Sequence, residues 1–182
     1  MKMSDVKVLV LLGSLRKESV NRQLAELATE VAPEGVTLEL FDRLGELPFY
    51  NEDEDGDDVA EPVRALRAVA ADADATLVVT PEYNGSIPGV LKNAIDWLSR
   101  PFGNSALKDK PAVVIGSSLG QYGGVWAHDE TRKSFGVAGP AVIEDVKLSI
   151  PSATFDGKHP RENSEVAGSV REAIEKLVAE VG

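Results

Sequence analysis

Gly13-Ser-Leu-Arg-Lys-Glu-Ser-Val-Asn21 is the stretch whose reading decides the fold. An apolar run, Val6 to Leu12, precedes it, and a helical pattern follows. Strand, polar loop, then helix is the anion-holding corner of an α/β fold. The first N–H groups of a helix have no intrahelical acceptor and point outward, so they suit a negatively charged group. The loop adds the hydroxyls of Ser14 and Ser19, the amide of Asn21 and the donor fork of Arg16.

Outward from this corner the chain alternates strands and helices. Val6–Leu12 is nearly all apolar, as a central parallel strand covered on both faces requires. Leu24, Leu27, Ala28 and Val31 have helical spacing over Arg22–Val31, with Ser19 as the expected N-cap. Val36–Phe41 alternates and reads as a second strand nearer an edge, and Leu44–Glu61 reads as loop. A helix is expected from near Val59–Pro62, on the face of Val63, Leu66, Val69 and Ala70. Ala75–Thr80 is a third strand, and Leu91, Ala94, Ile95 and Leu98 mark another helix. Ala112–Ser117, a helix over Val125–Phe135, a strand over Pro140–Val146 and a final helix capped by Asn163 or Ser164 complete the pattern. The expectation is one α/β domain over residues 1–182, with a doubly wound, five-stranded parallel sheet of flavodoxin-like order 2-1-3-4-5.

Composition narrows the function. The 182 residues carry a net charge of −11, which disfavours nucleic acid and anionic membranes as partners. On so acidic a chain, Arg16–Lys17 is a local positive spot. With no cysteine there is no disulfide, thiolate nucleophile or thiolate metal site. Met1–Leu12 is interrupted by Asp5 and Lys7 and does not read as a signal peptide. No apolar run reaches membrane-span length, so the expectation is a soluble cytoplasmic protein. The acidic run Asn51–Asp58 invites a calcium-loop reading, but its twelfth position, where a bidentate Glu belongs, is Pro62. No metal is expected. Leu47-Pro-Phe-Tyr50, on the same loop, either covers a ligand or plugs the core.

Three loops, after the first, third and fourth strands, carry the unusual residues. In a doubly wound sheet they converge where strand order reverses, and ligands bind there. The first suits a phosphate. Pro81-Glu-Tyr-Asn84 offers backbone donors and an aromatic wall, and Gly120, Gly123 and Gly124 admit a flat ring. No Gly-x-Gly-x-x-Gly or Gly-Lys-Ser/Thr is present, which disfavours a dinucleotide corner and a P-loop. A phosphorylated planar heterocycle remains, and FMN fits best.

Gly13–Ala25 and Thr80–Arg100 resemble the two signatures of the NADPH-dependent FMN reductase family, which includes bacterial quinone, azo-dye and chromate reductases. The resemblance runs from Val6 to about Val146. It implies that Ser14, Arg16, Ser19, Val20 and Asn21 bind the FMN phosphate end. It implies that Pro81, Glu82, Tyr83, Asn84 and Gly85 border the ring, with Ser117, Gly120 and Gly123 on its other side. Trp126 and His128 stand where the family often has Arg and Gln, a departure that bears on substrate and interface.

The same resemblance implies NADPH or NADH as hydride donor and small-molecule acceptors. It also implies a homodimer or homotetramer, for which the Leu91–Arg100 helix is the candidate interface. Tyr83 and Arg100 are the candidate substrate contacts; Arg100 either meets a nucleotide phosphate or pairs across the interface. No catalytic side chain is expected, because the flavin carries the chemistry. For Glu82 the backbone is the expected contact, Trp97 is expected in packing or a dimer contact, and neither His128 nor His159 reads as a metal ligand. The competing functional reading is an electron carrier with no NAD(P)H turnover of its own. A sensor of a phosphorylated ligand is a third.

Overall fold

The computed structural model describes residues 5–182. The first four residues of the Met1–Leu12 segment therefore lie outside the described residues. Strands β1 (Val6–Leu12), β2 (Val36–Leu40), β3 (Ala75–Val79), β4 (Pro111–Ser118) and β5 (Ala141–Pro151) form one parallel sheet. Its order is β2-β1-β3-β4-β5, the flavodoxin-like order expected from the sequence. The helices are α1 (Val20–Val31), α2 (Glu61–Asp72), α3 (Gly89–Leu98), α4 (Val125–Ala138) and α5 (Ser164–Ala179).

Successive side chains of a strand point to opposite faces. Val8, Val10 and Leu12 of β1 therefore pack with Leu24 and Leu27 of α1 and Val170 and Ile174 of α5. Leu9 and Leu11 pack the other way, with Leu66 of α2, Leu91 and Ile95 of α3 and Phe135 of α4. One apolar strand thus feeds two cores. The chain leaves β1 toward β2 on one side and returns to β3 on the other, so the order reverses between β1 and β3.

Element ends follow local chemistry. Ser19 caps α1, its hydroxyl accepting from the N–H of Asn21. Asn163 caps α5 in the same way, through the N–H of Val166. Pro62 sits in the first turn of α2, where a missing N–H costs nothing. The Leu44–Glu61 segment contains two short 3-10 turns, and Asn51 caps one of them. Asp55 of the acidic run is held by both terminal nitrogens of Arg67, at 2.8 and 3.0 Å.

β5 runs to Pro151, beyond the expected Val146. Between Val142 and Lys147 it advances five residues while β4 advances two, from Ala112 to Val114, a bulge of three residues. Buried Arg132 of α4 donates to the Val114 carbonyl at this irregularity. Among the described residues, no helix is long and apolar enough to cross a membrane.

Candidate active site

The carboxyl ends of β1, β3 and β4 bring the three loops together. Gly13 lies against Thr80, and a Cβ there would overlap the Thr80 side chain. The Gly13 N–H donates to the Val79 carbonyl at 2.8 Å, which continues the β1–β3 ladder into the loop. The first loop then folds on itself. Buried Ser14 accepts the Arg16 N–H through Oγ at 3.3 Å, and buried Ser19 accepts the Asn21 N–H at 3.1 Å. Val20 opens α1, so its N–H belongs to the set no intrahelical carbonyl reaches. Arg16 and Lys17 are exposed, and among the described residues Arg16 enters no ion pair.

The second loop is a tight hairpin. Tyr83 and Ser86 exchange both backbone hydrogen bonds, at 3.2 and 3.1 Å. Asn84 and Gly85 between them have φ of 53° and 72°. Two positive-φ residues in a two-residue connection define a type I′ turn, and Asn-Gly is the pair that tolerates it best. Tyr83 and Asn84 are exposed, while Pro81 is buried. The Trp126 ring lies over Gly85, where a Cβ would come within 3.2 Å of it.

The third loop is fastened to the second. The Ser118 hydroxyl accepts the Glu82 N–H at 3.2 Å, and the Glu82 carboxylate accepts the Ala127 N–H at 3.0 Å. Glu82 thereby caps α4, whose own N-cap, Gly124, has no side chain to do so. Gly123 and Gly124 both have positive φ. A Cβ on Gly123 would lie 2.6 Å from the Ile150 backbone, so the fold itself requires that glycine. Gly120 has no neighbour within 4 Å of its would-be Cβ and leaves open space beside it.

Two buried polar side chains at this end of the sheet find their partners far away in the chain. Buried His128 donates from Nε2 to the Thr80 carbonyl at 2.7 Å, because a carbonyl can only accept. Its Nδ1 then accepts the Ser149 hydroxyl at 2.6 Å. Burial pushes the His128 pKa below the ordinary histidine value, which outweighs the Thr80 bond, and Arg132 adds to the lowering. The ring is neutral near pH 7 and serves as a strut beneath the second loop. Asn21 is the other: its amide is taken up by the Ser117 backbone. The Ser117 hydroxyl is buried and has no partner among the described residues.

The Arg100 guanidinium lies over the Tyr50 ring, 5.4 Å from the centroid, and Arg100 lines a groove of about 530 Å³ between α3 and α4. That groove reaches the second loop at Ser86 and Ile87. Trp97 is fully buried, donates to the Pro48 carbonyl at 2.8 Å and meets the Tyr50 ring edge-on, so within this chain it is a packing residue. Leu47 plugs the core, whereas Phe49 stands 90% exposed.

A parallel sheet of order 2-1-3-4-5, with three loops meeting where that order reverses, defines a flavodoxin-like protein. The family model described as NADPH-dependent FMN reductase matches residues 6–155, and the chain belongs to that family. A 2-hydroxy-1,4-benzoquinone reductase of Burkholderia is 46% identical over 127 residues, covering 70% of this chain and 68% of the relative. An NAD(P)H-dependent FMN reductase of Pseudomonas aeruginosa is 39% identical over 156 residues, covering 85% and 83%. The solved structure of FerB, a flavoenzyme NAD(P)H:(acceptor) oxidoreductase from Paracoccus denitrificans, superposes with a TM-score of 0.85. It is 33% identical, and 97% of each chain is covered. The chain is accordingly an NAD(P)H-dependent oxidoreductase of the FMN-dependent type.

The residues present fit FMN. A phosphate needs donors and positive charge, which Ser14, Arg16, Ser19 and the first turn of α1 supply. A flat ring needs a polar contact and room, which the partnerless Ser117 hydroxyl and the space beside Gly120 supply.

Proposed function

We propose that this protein uses NAD(P)H to reduce quinones and related small acceptors, azo compounds, chromate and free flavin among them. The observation that carries the reading is that Asn21, at the start of α1, holds the backbone of Ser117, whose buried hydroxyl has no partner among the described residues, with exposed Arg16 on the same first loop. Ser14, Arg16, Ser19 and the Val20 N–H take the phosphate. The Pro81–Gly85 segment borders one side of the ring, and Ser117, Gly120 and Gly123 the other. FMN, when bound, would supply the two-electron chemistry, with N5 as the atom that would take hydride from NAD(P)H before the electrons pass to the acceptor. The balance is NAD(P)H, one proton and a quinone giving NAD(P)⁺ and a hydroquinone.

The chain's own residues bind, orient and leave one face open. Exposed Tyr83 and Trp126 stand beside that face and suit planar visitors. The Glu82 carboxylate is committed to the Ala127 N–H, so the proton comes from solvent across the open face. If donor and acceptor share that face, initial-rate plots are parallel, as ping-pong kinetics require.

A cytoplasmic homodimer or homotetramer completes the proposal. The α3–α4 groove is its interface, because Phe102 and Val137 line it and remain exposed in the single chain. Arg100, whose buried Nε has no partner among the described residues, reaches a bound nucleotide or the second copy from there.

The test is anaerobic mixing of the FMN-loaded protein with NADPH or NADH. Bleaching of the yellow absorbance, restored by benzoquinone, is the expected result. A flavin that stays yellow with both nucleotides favours the electron-carrier reading instead.

A further inference from the structure

β4 outlasts its neighbour. The β3–β4 ladder ends at Val79 opposite Ile115, while β4 continues to Ser118. From Thr80 the chain turns away into the second loop, so the β4 edge beyond Ile115 has no strand beside it. Buried backbone groups without partners are costly, and something must pair with them. Asn21 does so. Its Oδ1 accepts the Ser117 N–H at 2.9 Å, and its Nδ2 donates to the Ser117 carbonyl at 3.0 Å. A carboxamide has the donor and acceptor of a peptide group, so one side chain stands in for the missing strand. Asn21 and Ser117 are 3% and 2% exposed, which keeps water from competing.

The consequence lies in what the clamp joins. Asn21 is the second residue of α1, the helix whose start faces the phosphate end. Ser117 belongs to the ring side. Its backbone is held by Asn21, and its Oγ is the one polar group left over. We propose that Asn21 is a positioning residue: it fixes the ring-side wall to the phosphate cradle and governs binding at the end of the cofactor that it does not face. This rests on the FMN reading above and differs from the role of a phosphate ligand, which the family resemblance implies for Asn21.

Riboflavin has the ring without the phosphate, so it separates the two roles. Apoprotein is titrated with FMN and with riboflavin, following flavin fluorescence, for wild type, Arg16→Ala, Asn21→Ala and Asn21→Ser. Arg16→Ala, the phosphate-side control, loses FMN affinity and leaves riboflavin affinity unchanged. Asn21→Ala loses about tenfold or more for both ligands and shifts the visible spectrum of bound riboflavin. Asn21→Ser, which keeps one hydrogen-bonding group, recovers part of the loss and serves if the alanine variant does not fold by circular dichroism. Asn21 variants that weaken FMN alone, like Arg16→Ala, or that bind both ligands as wild type does, overturn the clamp. Wild-type protein that takes up neither flavin overturns the FMN reading on which the clamp rests.

Discussion

The carboxylate of Glu82, in the loop after β3, accepts the backbone N–H of Ala127 in the first turn of α4 at 3.0 Å. A loop residue 45 positions away therefore does for α4 what an N-cap does for an ordinary helix. Glu82→Ala is expected to destabilise the fold by about 1 kcal/mol, and Glu82→Gln, which keeps an acceptor, by less. Urea denaturation measures both. Because the side chain points at α4, Glu82→Gln leaves FMN affinity within about twofold of wild type. A tenfold loss in that variant would place the carboxylate on the flavin.

Arg16 is the largest single contributor expected at the phosphate. It is exposed and unpaired among the described residues, so its charge is available to a ligand. A hydrogen bond to a charged group contributes about 1.5–3 kcal/mol. Arg16→Ala should therefore weaken FMN by roughly 10- to 150-fold in a fluorescence titration. High salt should weaken wild-type binding and so narrow the difference, because the contact is solvent-facing. An unchanged affinity would put the phosphate elsewhere.

Local pattern made much of this legible. β1 is an apolar run and α1 has helical spacing behind a serine cap; the structure has both. What escaped was long-range pairing. Asn21 meets Ser117 across 96 residues, His128 meets Thr80 across 48, and no periodicity announces either partner. Gly123 carries a distant constraint of the same kind: the Ile150 backbone occupies the space its Cβ would need. The β5 end was missed because its bulge breaks the alternation that marks a strand.

His128 gives the stability a pH dependence of fixed sign. In the unfolded chain its imidazole takes a proton near pH 6.5. In the fold, burial holds its pKa lower, so between the two values the unfolded state binds more protons. Stability is full above about pH 6.5 and falls as pH drops from there toward the lowered folded value. His128→Gln removes this slope without touching the carboxylates that titrate further down. Melting temperature against pH, wild type beside variant, measures it; parallel curves would mean that His128 is not held neutral.

The two tryptophans report on opposite environments. Trp97 is fully buried under Tyr50 and Arg67, and Trp126 is 65% exposed above Gly85. Acrylamide should therefore quench one component of the apoprotein's emission and spare the other, giving a downward-curving Stern–Volmer plot. Trp126→Phe should remove the accessible component and leave a blue-shifted, protected emission from Trp97. If Trp126 stands at the open face, a planar quinone added to the FMN-loaded protein should reduce its accessibility to acrylamide. Emission that is wholly protected before any ligand is added would instead put Trp126 beneath a second copy of the chain, and would move the interface from the α3–α4 groove to the lip of the crevice.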